Sequence, residues 1–229
     1  MGKAVITEVT RMYSSNICVG AFHLELKKII RPLPSLEKNW KKIDYYNKTF
    51  YVGNIISCDD YKKTDLITKK NPHDYEDWRQ DKPRKIGTYS QKELFELLEK
   101  HCDKSIKSIF NTKIKYNQYF DSEKPLRSLG SIISKSKNLL FDRKESNKQL
   151  RLKIRDIDNE IYDFPVTSLF LLERFDEYKF SIKDMNREFI KGKNKLIIRI
   201  GLARDFSGSG DIKFSLPRNY IQVNGLIGI

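Results

Sequence analysis

The sequence predicts a mainly β protein with a few helices, arranged as two β-rich units joined by a helical and loop segment. Three observations carry that expectation. The first 60 residues are dense in β-branched residues cut by closely spaced turn signals. Residues 150–155 alternate apolar and basic, then turn and return through 161–166. The closing segment, residues 195–229, reads as strand, Ser/Gly-rich loop, strand. Short strands at such spacing suggest a small barrel or sandwich.

Taken in order, residues 3–12 form a β-rich run, residues 13–16 a turn and residues 17–22 the next strand. Residues 24–31 extend the sheet until Pro32 and Pro34 stop it, and residues 52–58 supply a further apolar strand introduced by Gly53. Residues 62–87 are polar, charged and without period, and read as a long excursion from the sheet. The clearest helix spans 90–102. Ser90 with Glu93 three residues on makes a capping box, and Leu94, Leu97 and Leu98 follow at helical spacing. Residues 106–121 are aromatic and of mixed signal, and residues 128–132 look like a turn entering a strand. The hairpin at 150–166 places Leu150, Leu152 and Ile154 on one face and Arg151, Lys153 and Arg155 on the other, a basic ladder facing outward. A short helix over 167–174 and a better one over 181–190 follow, the latter capped by Ser181 and ended by Gly192. In the final strand Tyr220, Gln222 and Asn224 share one face and Ile221, Val223 and Gly225 the other. The architecture is roughly duplicated, without a convincing internal sequence repeat.

The totals narrow the function classes. Forty-four basic against 30 acidic residues give a net charge of +14 and favour an anionic partner, nucleic acid first among them. Cys18, Cys58 and Cys102 lie far apart with no CxxC spacing, so they read as reduced thiols rather than a disulfide or zinc framework. No apolar run reaches the roughly 18 to 20 residues that cross a bilayer. The start runs into a strand without a signal-peptide layout, and Ile6 stands where a myristoylation signal needs a small hydroxyl residue. The expectation is a cytoplasmic protein with no membrane partner. The templates GxGxxG after a strand, GxxxxGK[ST], HExxH and GxSxG are all missing. The Ser207–Gly210 stretch precedes no helix, so it reads as a hairpin connection and not a phosphate cradle.

Several short segments in order resemble the dual OB-containing domain family. They are Val-Thr-Arg-Met (9–12), Ile-Cys-Val-Gly-Ala (17–21), Ile-Arg-Pro-Leu (30–33), Val-Gly-Asn-Ile-Ile (52–56), Pro-His-Asp-Tyr-Glu-Asp-Trp (72–78), Ser-Leu-Gly-Ser (128–131), Phe-Pro-Val-Thr-Ser-Leu (164–169), Ile-Gly-Leu-Ala-Arg-Asp-Phe (200–206) and Ile-Gln-Val-Asn-Gly-Leu (221–226). The family is a prokaryotic group, stand-alone or fused to other modules, often associated with anti-phage conflict systems. The resemblance implies two OB-like β-barrels and a nucleic-acid-binding role. The expected division is 1–88 as a first OB-like barrel with a long polar loop, 89–127 as a helical connection, and 128–229 as a second OB-like barrel with inserted helices.

An OB barrel tracks a nucleic-acid backbone with basic groups and stacks bases on aromatics. The candidate contacts are Arg11 and Arg31 at strand ends, the ladder Arg151, Lys153 and Arg155, then Arg199, Arg204 and Tyr220 in the closing unit. Each has a plain structural alternative as an ion pair, a turn brace or a solvated face. Trp40 and Trp78 read as loop anchors more than base platforms. Gln222 and Asn224 read as groups that fix the barrel end by bonding backbone. The expectation is therefore a non-catalytic binder of single-stranded DNA or RNA in a defence assembly, with no cofactor or metal and with an effector protein as a further partner. Two alternatives stand beside it. One is an adaptor whose barrels bind an acidic protein. The other is a metal-dependent nuclease built on His73, Asp74, Glu76 and Asp77, with Asp59 and Asp60 as further ligands.

Overall fold

The computed structural model describes residues 2–36, 39–58, 72–121, 125–146, 148–209 and 212–229. Their strands are mostly short and antiparallel, and they curl into two barrels. In the first, β1 (Gly2–Arg11) pairs with β2 (Asn16–His23) on one side and with β5 (Asn54–Cys58) on the other. β2 passes to β3 (Lys28–Pro34), which turns away to pair in parallel with β6 (Asp77–Gln80). β7 (Lys85–Thr88) follows β6 after four residues and pairs with β5. The segment 77–88 is thus a single fifth strand, bent in the middle, whose two halves close the barrel. Five strands in this Greek-key order, with the third and fifth parallel, make an OB-type barrel.

The second barrel repeats the plan. Its first strand is bent in the same manner: β9 (Leu129–Ser134) pairs with β13 (Leu196–Leu202), and beyond a 3₁₀ turn β10 (Leu139–Lys144) pairs with β11 (Gln149–Arg155). β12 (Ile161–Pro165) follows β11, and a parallel bridge from Val166 to Val223 joins it to β15 (Ile212–Gly228), which pairs back to β13. Both barrels carry their helical insertion between the third and fourth strands. The first has the small β4 (Trp40–Lys41) and α1 (Lys42–Tyr46). The second has α4 (Leu169–Leu172), a π-helical turn over Glu173–Glu177, and α5 (Ile182–Phe189).

Local chemistry explains the helix ends. Ser90 caps α2 (Gln91–Glu99) and Ser181 caps α5, each accepting from the backbone N–H three residues on while Glu93 or Asp184 reaches back. α3 (Ile106–Phe110) ends at Asn111, whose φ of 48° places it in the left-handed region. α3 and β8 (Tyr119–Phe120) pack on the second barrel's core through Ile106, Ile109, Phe110 and Phe120.

Three sequence expectations give way here. Residues 24–27 form a turn, and β3 runs through Pro32 and Pro34 instead of stopping at them. Beyond Ile30 the strand has left β2, so the missing proline N–H groups face no acceptor there, while Arg31 N–H on the other side reaches Glu76 O at 2.6 Å. The polar excursion is also not all loop, because its end supplies β6 and β7. The Ser/Gly stretch does connect a hairpin, but Phe206–Ser209 is itself a strand, β14.

The barrels meet face to side. The outer face of β1, β2 and β3 carries Val5, Glu8, Thr10, Phe22 and Arg31, all buried, and Ile29, half-buried. Val5 and Phe22 pack with Leu94, Phe95 and Leu98 of α2 and with Ile197 and Ile227 of β13 and β15. Glu8 meets Arg199 in an ion pair that is 1% and 0% exposed. Thr10 bridges to Ser168. Arg31 donates to Asp77 (2.8 Å), to His73 O (3.3 Å) and to Ser128 Oγ (2.5 Å), and Glu76 accepts from Ser128 N–H, Ser128 Oγ and Leu129 N–H at 2.8–3.1 Å. A paired and hydrogen-bonded charge can be buried where an isolated one cannot.

Candidate nucleic-acid interface

That seam decides where a ligand can reach. An OB barrel offers its second and third strands, flanked by the loops after strands one and four, as its binding face. In the first barrel the described part of this face, Phe22, Ile29 and Arg31 on β2 and β3, packs against α2 and the second barrel. Arg31 and Arg199, expected from the sequence to contact nucleic acid, are 3% and 0% exposed and serve the seam. Arg11, at the end of β1, is half-exposed and pairs with Asp176 at 2.7 Å. Trp40 and Trp78 are buried anchors, and the Trp40 Nε1–H donates to Pro32 O at 2.8 Å.

The equivalent face of the second barrel is open. Along β11, Arg151, Lys153 and Arg155 point outward while Leu150, Leu152 and Ile154 fill the core, as the alternation requires. Arg151 is tied to Asp163 at 2.8 Å and Lys153 pairs with Asp142, whereas Arg155 has no ion-pair partner among the described residues. The loop after the fourth strand is replaced by a projecting arm. β14 and the first half of β15 pair from Phe206–Arg218 to Ser209–Ile212 and stand away from the barrel. β15 continues unbroken into the barrel, so the arm is the barrel's own fifth strand extended outward.

Phe214, Leu216, Arg218 and Tyr220 lie close together along β15, whose register against β14 breaks between Lys213 and Arg218. The guanidinium of Arg218 lies 3.6 Å from the Phe214 ring centre and 4.4 Å from that of Tyr119. Ring centres continue from Tyr119 to Tyr220 (5.3 Å), from Tyr220 to Phe206 (6.3 Å), from Phe206 to Phe214 (6.0 Å) and from Tyr119 to Tyr116 (6.0 Å). Tyr116, Phe206 and Leu216 remain substantially exposed. An exposed row of this size, interleaved with a cation, is uncommon on a solvated surface.

Between the root of the arm and β10–β12 lies a cavity of about 720 Å³. Tyr220 and Phe206 form its arm-side wall, Arg151 and Asp163 the opposite one, and Arg143 and Lys144 its lip at the end of β10. Two of the expected contacts, Arg151 and Tyr220, are therefore brought to one place. Lys153 and Arg155 extend the same face, and Arg204 is exposed in the link that leads to the arm. Sequence reasoning passed over Tyr119, Arg143, Lys144, Phe206, Phe214 and Arg218. The clustering of Phe214, Leu216, Arg218 and Tyr220 in one short run was the signal that could have found the arm.

The residues considered for a metal site have other tasks. His73, 5% exposed, sits in a 3₁₀ turn (Pro72–Tyr75), and its Nε2–H donates to Ala203 O at 3.3 Å. Burial, with Arg31 nearby, lowers its pKa from 6.5 to about 3. Glu76 and Asp77 hold the seam as described, and burial pushes the Glu76 carboxyl up. Among the described residues no group of three or more His, Cys, Asp or Glu is arranged to hold a metal ion, and Asp59 and Asp60 lie outside those residues. No helix among the described residues is long and apolar enough to cross a membrane.

No family model and no curated protein matches the chain. Among solved structures the chain is similar to one described as the tetrameric p202 HIN2, with a TM-score of 0.32 and 13% identity over 96% of this chain and 90% of that one.

Proposed function

We propose that the protein is a non-catalytic nucleic-acid-binding protein that takes single strands on the open face of its second barrel. One observation carries the reading: the aromatic and arginine row of the arm borders a cation-lipped cavity on the face that OB barrels use, while the first barrel's counterpart is sealed. Bases stack on rings without regard to sequence, and a strand's phosphates follow the basic ladder. The net charge of +14 steers anions toward the molecule. The setting we infer from the order of short motifs is a prokaryotic anti-phage assembly, with an effector protein as a further partner.

Fluorescence anisotropy with single- and double-stranded DNA and RNA, at two or more salt concentrations, tests the reading. Single strands should bind best, and log K should fall with log salt by about 0.7 for each phosphate neutralised. Absence of binding to every nucleic acid at low salt, or a flat salt response, overturns it. In that case an acidic protein recovered on the same face would establish the adaptor alternative.

A further inference from the structure

We propose that the cavity at the root of the arm is a nucleotide pocket, in which one unstacked nucleotide of a bound single strand is enclosed. The inference rests on the nucleic-acid reading above and goes one step further, to how the strand is held and read. A volume of about 720 Å³ is of the size that encloses a small organic ligand. A space of that volume suits a single nucleotide turned out of the strand, and in a duplex the bases stay stacked.

The lining distinguishes the ends of such a ligand. Phe206 and Tyr220 stand together on one wall, their ring centres 6.3 Å apart, and present an aromatic surface to a base. Gln118, exposed at the mouth beside them, has a side-chain amide with no hydrogen-bond partner among the described residues. An amide offers a donor and an acceptor together, which is what the edge of a base requires. Asp142 and Asp163 also line the cavity, their side chains 43% and 42% exposed and each bound to a cation of the ladder. Their carboxylates disfavour a phosphate beside them. Arg143 and Lys144 stand at the lip, exposed and without an ion-pair partner among the described residues. The phosphate therefore sits at the lip and the base goes inside. An acidic peptide fits less well, because its charge would have to pass the two carboxylates.

The test uses the full chain bound to a fluorescent single-stranded oligonucleotide. Unlabelled 5′-mononucleotides, the matching nucleosides and inorganic phosphate are titrated in at constant ionic strength. The expected result is displacement by mononucleotides, weaker displacement by nucleosides and none by phosphate. An abasic position walked along the oligonucleotide should weaken binding about 5- to 150-fold at one position more than at the others, the range for loss of one stacked base. Gln118→Ala, a surface change that removes no hydrogen bond of the fold, should alter the order of preference among the four bases and leave the salt slope unchanged. Arg143→Gln with Lys144→Gln should flatten the slope by about 0.7 per cation lost.

If the strand binds with the expected salt dependence but mononucleotides act no better than phosphate, the pocket is overturned and the nucleic-acid reading stands. Uniform tolerance of the abasic position with an unchanged Gln118→Ala protein overturns it as well. If no strand binds, the reading beneath it fails first.

Discussion

Arg199→Met is the change that tests the seam most directly. The wild-type guanidinium is fully buried and its Nε–H donates to Glu8. The Glu8 carboxylate otherwise has the Thr7 hydroxyl at 3.2 Å and the Asn224 amide at a long 3.5 Å. Gly20 packs directly on that carboxyl, since a Cβ there would stand 2.5 Å from it. Removing the arginine strands a carboxylate that is 1% exposed, a loss of about 3–5 kcal/mol. With a urea m-value of about 3 kcal/mol/M for a chain this size, the midpoint should fall by on the order of 1–2 M. Glu8→Gln with Arg199→Met replaces the pair by groups that need no charge partner, and should recover most of the loss. Below the unfolding midpoint, single-strand affinity and salt slope should equal those of the wild type, because the arginine faces the seam and not the ligand. A stable Arg199→Met protein, or a double variant no better than the single one, refutes the account of the seam. A folded Arg199→Met protein with a flattened salt slope would restore Arg199 as a phosphate contact.

Other outcomes follow from the same geometry. Phe206→Ala and Arg218→Ala should each weaken single-strand binding about 5- to 150-fold in anisotropy titrations while the circular dichroism of the barrels is retained. Tyr13→Ala and Arg11→Ala, at the rim of the sealed barrel, should leave affinity within about twofold, corresponding to less than ~0.5 kcal/mol. Gly20→Ala pushes a methyl into the Glu8 carboxyl and should lower stability by about 1–3 kcal/mol in urea melts. His73 stays neutral in the folded protein down to about pH 3, whereas in the unfolded chain it takes a proton near its ordinary value of 6.5. Stability should therefore decline as pH falls from about 6.5, by roughly 2–3 kcal/mol at pH 4.5, and His73→Gln should remove that part of the slope in pH-dependent denaturation.

Features set by local chemistry were legible in the sequence. Ser90 with Glu93, and Ser181 at its own helix start, mark helices because a cap needs only a hydroxyl three residues from a donor. The 150–166 hairpin was legible for the same kind of reason, as period two shows in any exposed strand. The misses depend on partners distant in the chain. β6 and β7 are polar and broken in the middle, and only their pairing with β3 and β5 makes them one strand. Arg31 and Arg199 read as surface cations because charge is usually exposed, and nothing near them announces Ser128 or Glu8, the latter 191 residues away. Of the candidate face, the outward alternation of the ladder was legible, and Arg151 and Tyr220 line one cavity; their contact with nucleic acid is the proposal made above. The arm was lost because its Ser/Gly tip reads as loop and hides the aromatic face that follows.

β15 runs through 17 residues, with a register break against β14 in its outer half and another against β13 at Asn224 in its inner half. Its outer half presents Phe214 and Arg218; its inner half carries Asn224 and Gly225, which abut the Glu8–Arg199 pair. The strand is held by β13 along its inner half, and along its outer half it pairs with β14 while Arg218 leans on Tyr119. A load placed on the tip bends it at the root, where Asn219 and Tyr220 pair with β8. In the complex proposed above, the stance of the arm would be set at that root, by β13 and β8, rather than along the arm itself.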